Sequence, residues 1–147
     1  MIEELDLSYN NLVSFPKSCI VEFDHIKHAP IIHSLFPKLK ILKLNFNRLQ
    51  FLRIDSGVDS CLPNLTNLQL IGNYIEDFQA GDFFKGFPKL MYLKLENQRR
   101  IHDDSVAYNL QLPGGPLKSH AFNQTVLLTP RLRVLYMNGN SLTLNEM

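Results

Sequence analysis

Apolar residues recur along this chain in a fixed order: L-x-x-L-x-L, then two residues, then Asn, then a further apolar residue one place beyond its neighbour. The order is complete in "IEELDLSYNNL" from Ile2, "LKILKLNFNRL" from Leu39, "LTNLQLIGNYI" from Leu65 and "LRVLYMNGNSL" from Leu132. A fifth copy, "LMYLKLENQRR" from Leu90, keeps its three leucines but carries Gln98 where Asn belongs and Arg100 where the last apolar residue belongs, so it reads as degraded. The starts lie 26 residues apart (39 to 65) and 25 apart (65 to 90), but 37 (2 to 39) and 42 (90 to 132) at the two ends. The long gaps predict insertions at about 17–34 and 98–130, with a degenerate sixth copy, "AYNLQLPGGPL", near residue 107.

Each L-x-L alternation predicts a short strand with its leucines pointing inward, and stacked copies predict one parallel sheet in which each repeat completes the core of the next. After the strand the chain must turn away. A buried Asn amide both donates to and accepts from backbone groups of such a turn, and its burial is tolerable only if those bonds form. Asn10, Asn47, Asn73 and Asn140 therefore predict a structural ladder rather than a binding site. Pro37, Pro63, Pro88 and Pro130 stand two residues before a first leucine, where an extended approach needs no amide donor. Phe15, Leu52 and Phe78 recur five residues after their Asn, and "GDFFKGFPKL" adds Phe84 and Phe87 on the returning, convex side.

These motifs resemble the leucine-rich-repeat family over most of residues 1–147. The resemblance implies one α/β domain: a solenoid of about five or six repeats, with a curved parallel sheet on the concave face and short helices or loops on the convex face. Units of about 25 residues with this Phe pattern look like the repeats of secreted and cell-surface members. From residue 90 onward, "LMYLKLENQRRI", "AFNQT" and "LRVLYMNGNSL" are similar to segments of Toll-like-receptor ectodomains, especially invertebrate ones. That resemblance implies a piece of an innate immune receptor, a glycoprotein that takes part in signal transduction on the extracellular face of a membrane. It also implies a protein or pathogen-derived ligand and a receptor dimer as partners. The chain departs from the pattern in lacking cysteine-rich caps, a membrane span and a signalling domain. The rival reading is a cytoplasmic adaptor that binds another protein through the same face.

Composition narrows the partners. The net charge is +1, with fifteen basic against fourteen acidic residues, which is not the footprint of a nucleic-acid binder. No stretch approaches the roughly 20 apolar residues that span a bilayer, so this segment itself predicts no membrane contact. Cys19 and Cys61 are too few for a disulfide framework and are not spaced as a metal knuckle, which suggests two buried apolar residues of undefined redox state. Asn64-Leu65-Thr66 and Asn123-Gln124-Thr125 fit the acceptor for N-glycosylation, giving Asn64 and Asn123 as candidate modification sites.

Catalysis finds no footing, and no cofactor is expected. The densest polar cluster, "DHIKHAPIIH", offers His25 and His28 at a spacing suited to zinc on a helix, but Pro30 interrupts that helix and no H-E-x-x-H is present, so no metal site is predicted. "RRIHDD" offers no nucleophile and reads as a solvated insertion, and "LPGGPL" lacks the Lys-Ser/Thr of a phosphate cradle.

What remains is geometry. The positions between the leucines face outward from the sheet and form columns about 5 Å apart. The first runs Glu4, Ile41, Asn67, Tyr92, Val134; the second Asp6, Lys43, Gln69, Lys94, Tyr136; the third Ser8, Asn45, Ile71, Glu96, Asn138. Within them Asp6, Lys43, Gln69, Tyr92, Lys94 and Tyr136 are the candidate binding residues, because charge, amide and aromatic groups combine there as they do in recognition surfaces.

Overall fold

The structure, a computed structural model, describes residues 1–50, 61–75, 86–99 and 129–140. Five three-residue strands carry the architecture: β1 (Glu4–Asp6), β4 (Ile41–Lys43), β5 (Asn67–Gln69), β6 (Tyr92–Lys94) and β7 (Val134–Tyr136), all parallel and in that order across one sheet. Two further strands, β2 (Cys19–Asp24) and β3 (Ala29–Ser34), form a separate antiparallel pair. The register is the one the repeat alignment implies, since Leu5, Leu42, Leu68, Leu93 and Leu135 stand side by side. Their inward face is the core: Leu42, Leu68 and Leu93 are buried, as are Leu44, Leu70 and Leu95 two residues on. Burying each such side chain contributes about 1.5–3 kcal/mol. Leucines of the outermost strands, Leu5 and Leu135, pack half-buried against that core.

The amide ladder joins each repeat to the one before it. Asn47 donates from Nδ2 to the carbonyls of Leu7 (2.9 Å) and Leu44 (3.1 Å), while its Oδ1 accepts the N–H groups of Asn10 and Leu12. Asn73 repeats this one unit on, donating to Leu44 and Leu70 and accepting from Leu49. Asn140 donates to Leu95 and Met137 and accepts from Gln98 N–H. The side chain of Asn10, at the exposed end, donates to the carbonyls of its own turn, Leu7 and Ser8.

The Leu90 copy is not degraded at this position, contrary to its sequence. Gln98 is 1% exposed, donates from Nε2 to Leu70 (2.8 Å) and Leu95 (3.1 Å), and accepts Ile75 N–H on Oε1. A primary amide is what the slot requires, and the longer side chain of Gln delivers the same donors and acceptor.

A second ladder accompanies the first. The residue before each ladder amide, namely Tyr9, Phe46, Gly72, Asn97 and Gly139, has a positive φ between 54° and 72°. Gly and Asn suit that left-handed turn, whereas Tyr and Phe occupy it at a steric cost.

The insertion at 17–34 is a β-hairpin. Its register pairs Val21 with Ile32 and Phe23 with Pro30, and Asp24 Oδ1 closes the tip by accepting the N–H groups of Ile26 and Lys27. At the base, Cys19 and Cys61 form a disulfide across 42 residues, with Cα atoms 5.2 Å apart, and Ser34 Oγ donates to Cys61 O. This corrects the reading of two independent apolar cysteines: both are buried, but as a staple holding the hairpin to the approach of β5. Among the described residues there is no helix. Leu52, Phe78 and Phe84, the copy near 107, nearly all of the 98–130 insertion, and the 51–60 and 76–85 stretches expected on the convex side lie outside the described residues.

Candidate functional site

The sheet places the outward residues of successive repeats in direct lateral contact. Asp6, Lys43, Gln69, Lys94 and Tyr136 are register partners in one column, and Tyr92 stands beside Asn67 and Val134 in the adjacent one. All six candidate binding residues therefore lie on one open face. Tyr92 and Tyr136 are exposed there, and Gln69 and Lys94 are half-buried.

The two halves of this face differ in how their charges are satisfied. On the β1–β4 side, Lys43 Nζ reaches Glu4 Oε1 at 2.5 Å and Lys40 Nζ reaches Glu3 Oε1 at 3.2 Å. The hydrogen bond and charge of Glu4 push the Lys43 ammonium above its ordinary pKa. Bonds from the Ser8 side chain and backbone N–H hold the Asp6 carboxyl below the usual carboxylate range, and the Lys43 charge assists. In the centre, Asn45 Nδ2 donates to Gln69 Oε1 (3.1 Å) and Asn45 Oδ1 accepts Ile71 N–H, which fixes both amides. On the β6–β7 side Lys94 lies over the Tyr136 ring, 5.2 Å from its centroid. Among the described residues it has no carboxylate partner.

At the rim, Tyr9 and Phe46 stack with centroids 4.9 Å apart and planes 13° from parallel. Beyond Tyr74, the guanidinium of Arg99 sits 4.5 Å from that ring and donates from Nη2 to Asn47 O, linking three repeats. Neither feature was expected from sequence. The signal for the first was available, because the residue preceding each ladder amide is Gly, Asn or an aromatic.

Of the remaining candidates, Asn64, His25 and His28 lie outside the strands of this sheet. Asn64 donates from Nδ2 to Pro37 O (2.7 Å) and accepts Lys89 Nζ on Oδ1 (2.8 Å), on the approach to β5. Asn123 is outside the described residues. His25 and His28 are in the hairpin turn, where His25 packs edge-on against Phe23, and His33 faces Glu22 at 3.5 Å. Among the described residues no group of three His, Cys, Asp or Glu is arranged to hold a metal, and no helix is long and apolar enough to cross a membrane.

Against known proteins, the family described as Leucine Rich Repeat matches residues 1–22, which hold β1, its turn and the start of the hairpin. A curated relative, the probable U2 small nuclear ribonucleoprotein A' of Drosophila melanogaster, is 33% identical over 88 residues, 60% of this chain. The match spans only 27% of that relative. No solved structure matches. The family match, the relative and the laddered parallel sheet together support a leucine-rich-repeat protein. Neither match points to a Toll-like receptor.

Proposed function

We propose that this chain is a protein-recognition module, an adaptor that holds a partner protein along the face of its parallel sheet. The observation that carries the reading is the column geometry: five strands in register expose Tyr92, Tyr136 and the second-column side chains on one continuous surface. Such an array offers rigid aromatic anchors surrounded by polar groups, the composition of interface hot spots. The Drosophila relative is by name a component of a nuclear ribonucleoprotein, which supports an intracellular setting and a partner within a protein or ribonucleoprotein assembly.

A second reading, the ectodomain of a Toll-like-receptor-type protein, is favoured by one observation: the Cys19–Cys61 disulfide, a bond that persists in oxidising compartments. The Asn64 sequon fits it as well. Expression of the chain behind a signal peptide in eukaryotic cells separates the two settings. Glycan at Asn64 on a well-folded secreted product supports the receptor reading, and a misfolded or unmodified product supports the adaptor.

The recognition reading itself is tested by selecting binding proteins against the immobilised chain and probing them with Tyr92→Ala and Gln69→Arg. Most binders should lose affinity. A set of binders indifferent to both changes would place recognition elsewhere on the molecule.

A further inference from the structure

The two ends of the open face treat charge differently, and that asymmetry specifies a partner. At β1 and β4 two lysines are already spent: Lys43 on Glu4, Lys40 on Glu3. At β6 and β7 the cations have no carboxylate partner among the described residues. Among the described residues Lys94 is paired with the Tyr136 ring alone, and Arg133, exposed on the approach to β7, uses its backbone N–H for Met91 O while its guanidinium has no partner there. Tyr92 is exposed beside Val134, one column from Lys94. The nearest acid on this face, Glu96 in the third column, makes no ion pair with Lys94.

Resting on the recognition reading above, we infer that the β6–β7 end of the face takes an acidic peptide segment of a partner protein, seating an Asp or Glu carboxylate on Lys94 between Tyr92 and Tyr136. The chemistry is direct. An ammonium held over an aromatic ring is pre-positioned, so little side-chain freedom is lost when a carboxylate arrives. The tyrosine hydroxyls are donors suited to the second carboxylate oxygen, and their rings cover apolar neighbours of the acidic residue. Gln69, held by Asn45, bounds the site on the β5 side. A basic segment is disfavoured here, and at the other end Glu4 is already occupied by Lys43. Nucleic acid is a poorer fit, because a polyanion needs many cations and the chain as a whole carries only +1.

The test selects a displayed library of random peptides on the immobilised full chain and measures the recovered sequences by fluorescence anisotropy. The expected consensus contains Asp or Glu. Its Asn/Gln counterpart should bind about tenfold more weakly or worse, and added salt should weaken the acidic version. Lys94→Glu should match that loss, Lys94→Arg should retain binding, and Lys27→Glu in the exposed hairpin turn, outside the parallel sheet, should change nothing, with circular dichroism melts confirming that each variant folds. Peptides that need Tyr92 but show no acidic preference would overturn this inference and leave the recognition reading standing. Failure to recover any peptide that depends on this face would count against both. Tighter, Lys94-dependent binding of a ten-residue oligouridylate would overturn it in favour of nucleic acid.

Discussion

The ring of Phe46 occupies the space in which a side chain on Gly72 would begin: a Cβ there would stand 2.5 Å from Phe46 Cδ1. Gly72 also has φ +66°. Two independent demands, the left-handed turn and the aromatic neighbour, thus meet at one residue, and they extend outward through the Phe46–Tyr9 stack.

Gly72→Ala should therefore destabilise the chain by about 2–4 kcal/mol, combining the left-handed penalty with overpacking. In a Phe46→Ala background the ring is gone, and the same change should cost only the conformational part, about 1–2 kcal/mol. Chemical denaturation of the four proteins of this cycle measures both. Equal costs in the two backgrounds would mean that the ring does not rest on Gly72.

The ladder makes a second prediction, one that the sequence read alone would reverse. Asn73→Ala removes the acceptor of Leu49 N–H and one of the two amide donors to each of the carbonyls of Leu44 and Leu70; Gln98→Ala removes the acceptor of Ile75 N–H and one of the two amide donors to each of the carbonyls of Leu70 and Leu95. Both sites are buried and lose the same number of partners, so each should cost about 1–3 kcal/mol. A Gln98 variant as stable as the parent would show that the amide is dispensable in this repeat.

How much was legible in the sequence follows from the range of each interaction. The strands, their register and the columns were readable because a leucine every second residue and an amide three residues on are local signals repeated along the chain. Gln98 was misread because the template encodes residue identity while the slot selects a primary amide. The Cys19–Cys61 bond spans 42 residues and depends on how the hairpin folds back, which no local pattern states. The hairpin itself was visible only as a gap in the repeat spacing. Charge pairing across the columns was hidden for another reason: neighbours such as Glu4 and Lys43 are far apart in sequence, and whether side chains at such positions meet depends on their conformations.

Acid and base should act on opposite sides of the β1–β4 pair. The carboxyl of Asp6 titrates below its ordinary 3.8 in the folded chain, so its contribution is present above the unfolded value and fades as pH falls through the folded one. Lys43, raised above 10.5, contributes below that value and loses its contribution as pH rises through its folded pKa. Both groups are solvent-exposed, and the effects are small. Asp6→Asn should flatten the acid limb of a stability–pH profile and leave the alkaline limb largely in place. An unchanged acid limb would mean that Ser8 does not hold the carboxylate.

The disulfide supports the most decisive measurement, because it bears on stability and on setting together. Closing a loop of 42 residues restricts the unfolded chain by about 4 kcal/mol in the loop-entropy model, a large share of what a domain of this size holds in reserve. The loop contains the whole hairpin and β4, and a two-stranded hairpin is marginal in water without such an anchor. Replacing Cys19 and Cys61 together by Ser should lower stability by several kcal/mol and open the hairpin first, seen as faster amide exchange over 19–34 than over the parallel sheet. Adding a reductant to the parent chain should reproduce the effect. If thiol alkylation under denaturing conditions finds both cysteines free and the Ser variant melts with the parent, the hairpin is held by Ser34 and its own ladder alone. The oxidising setting then loses its support, and the intracellular adaptor remains.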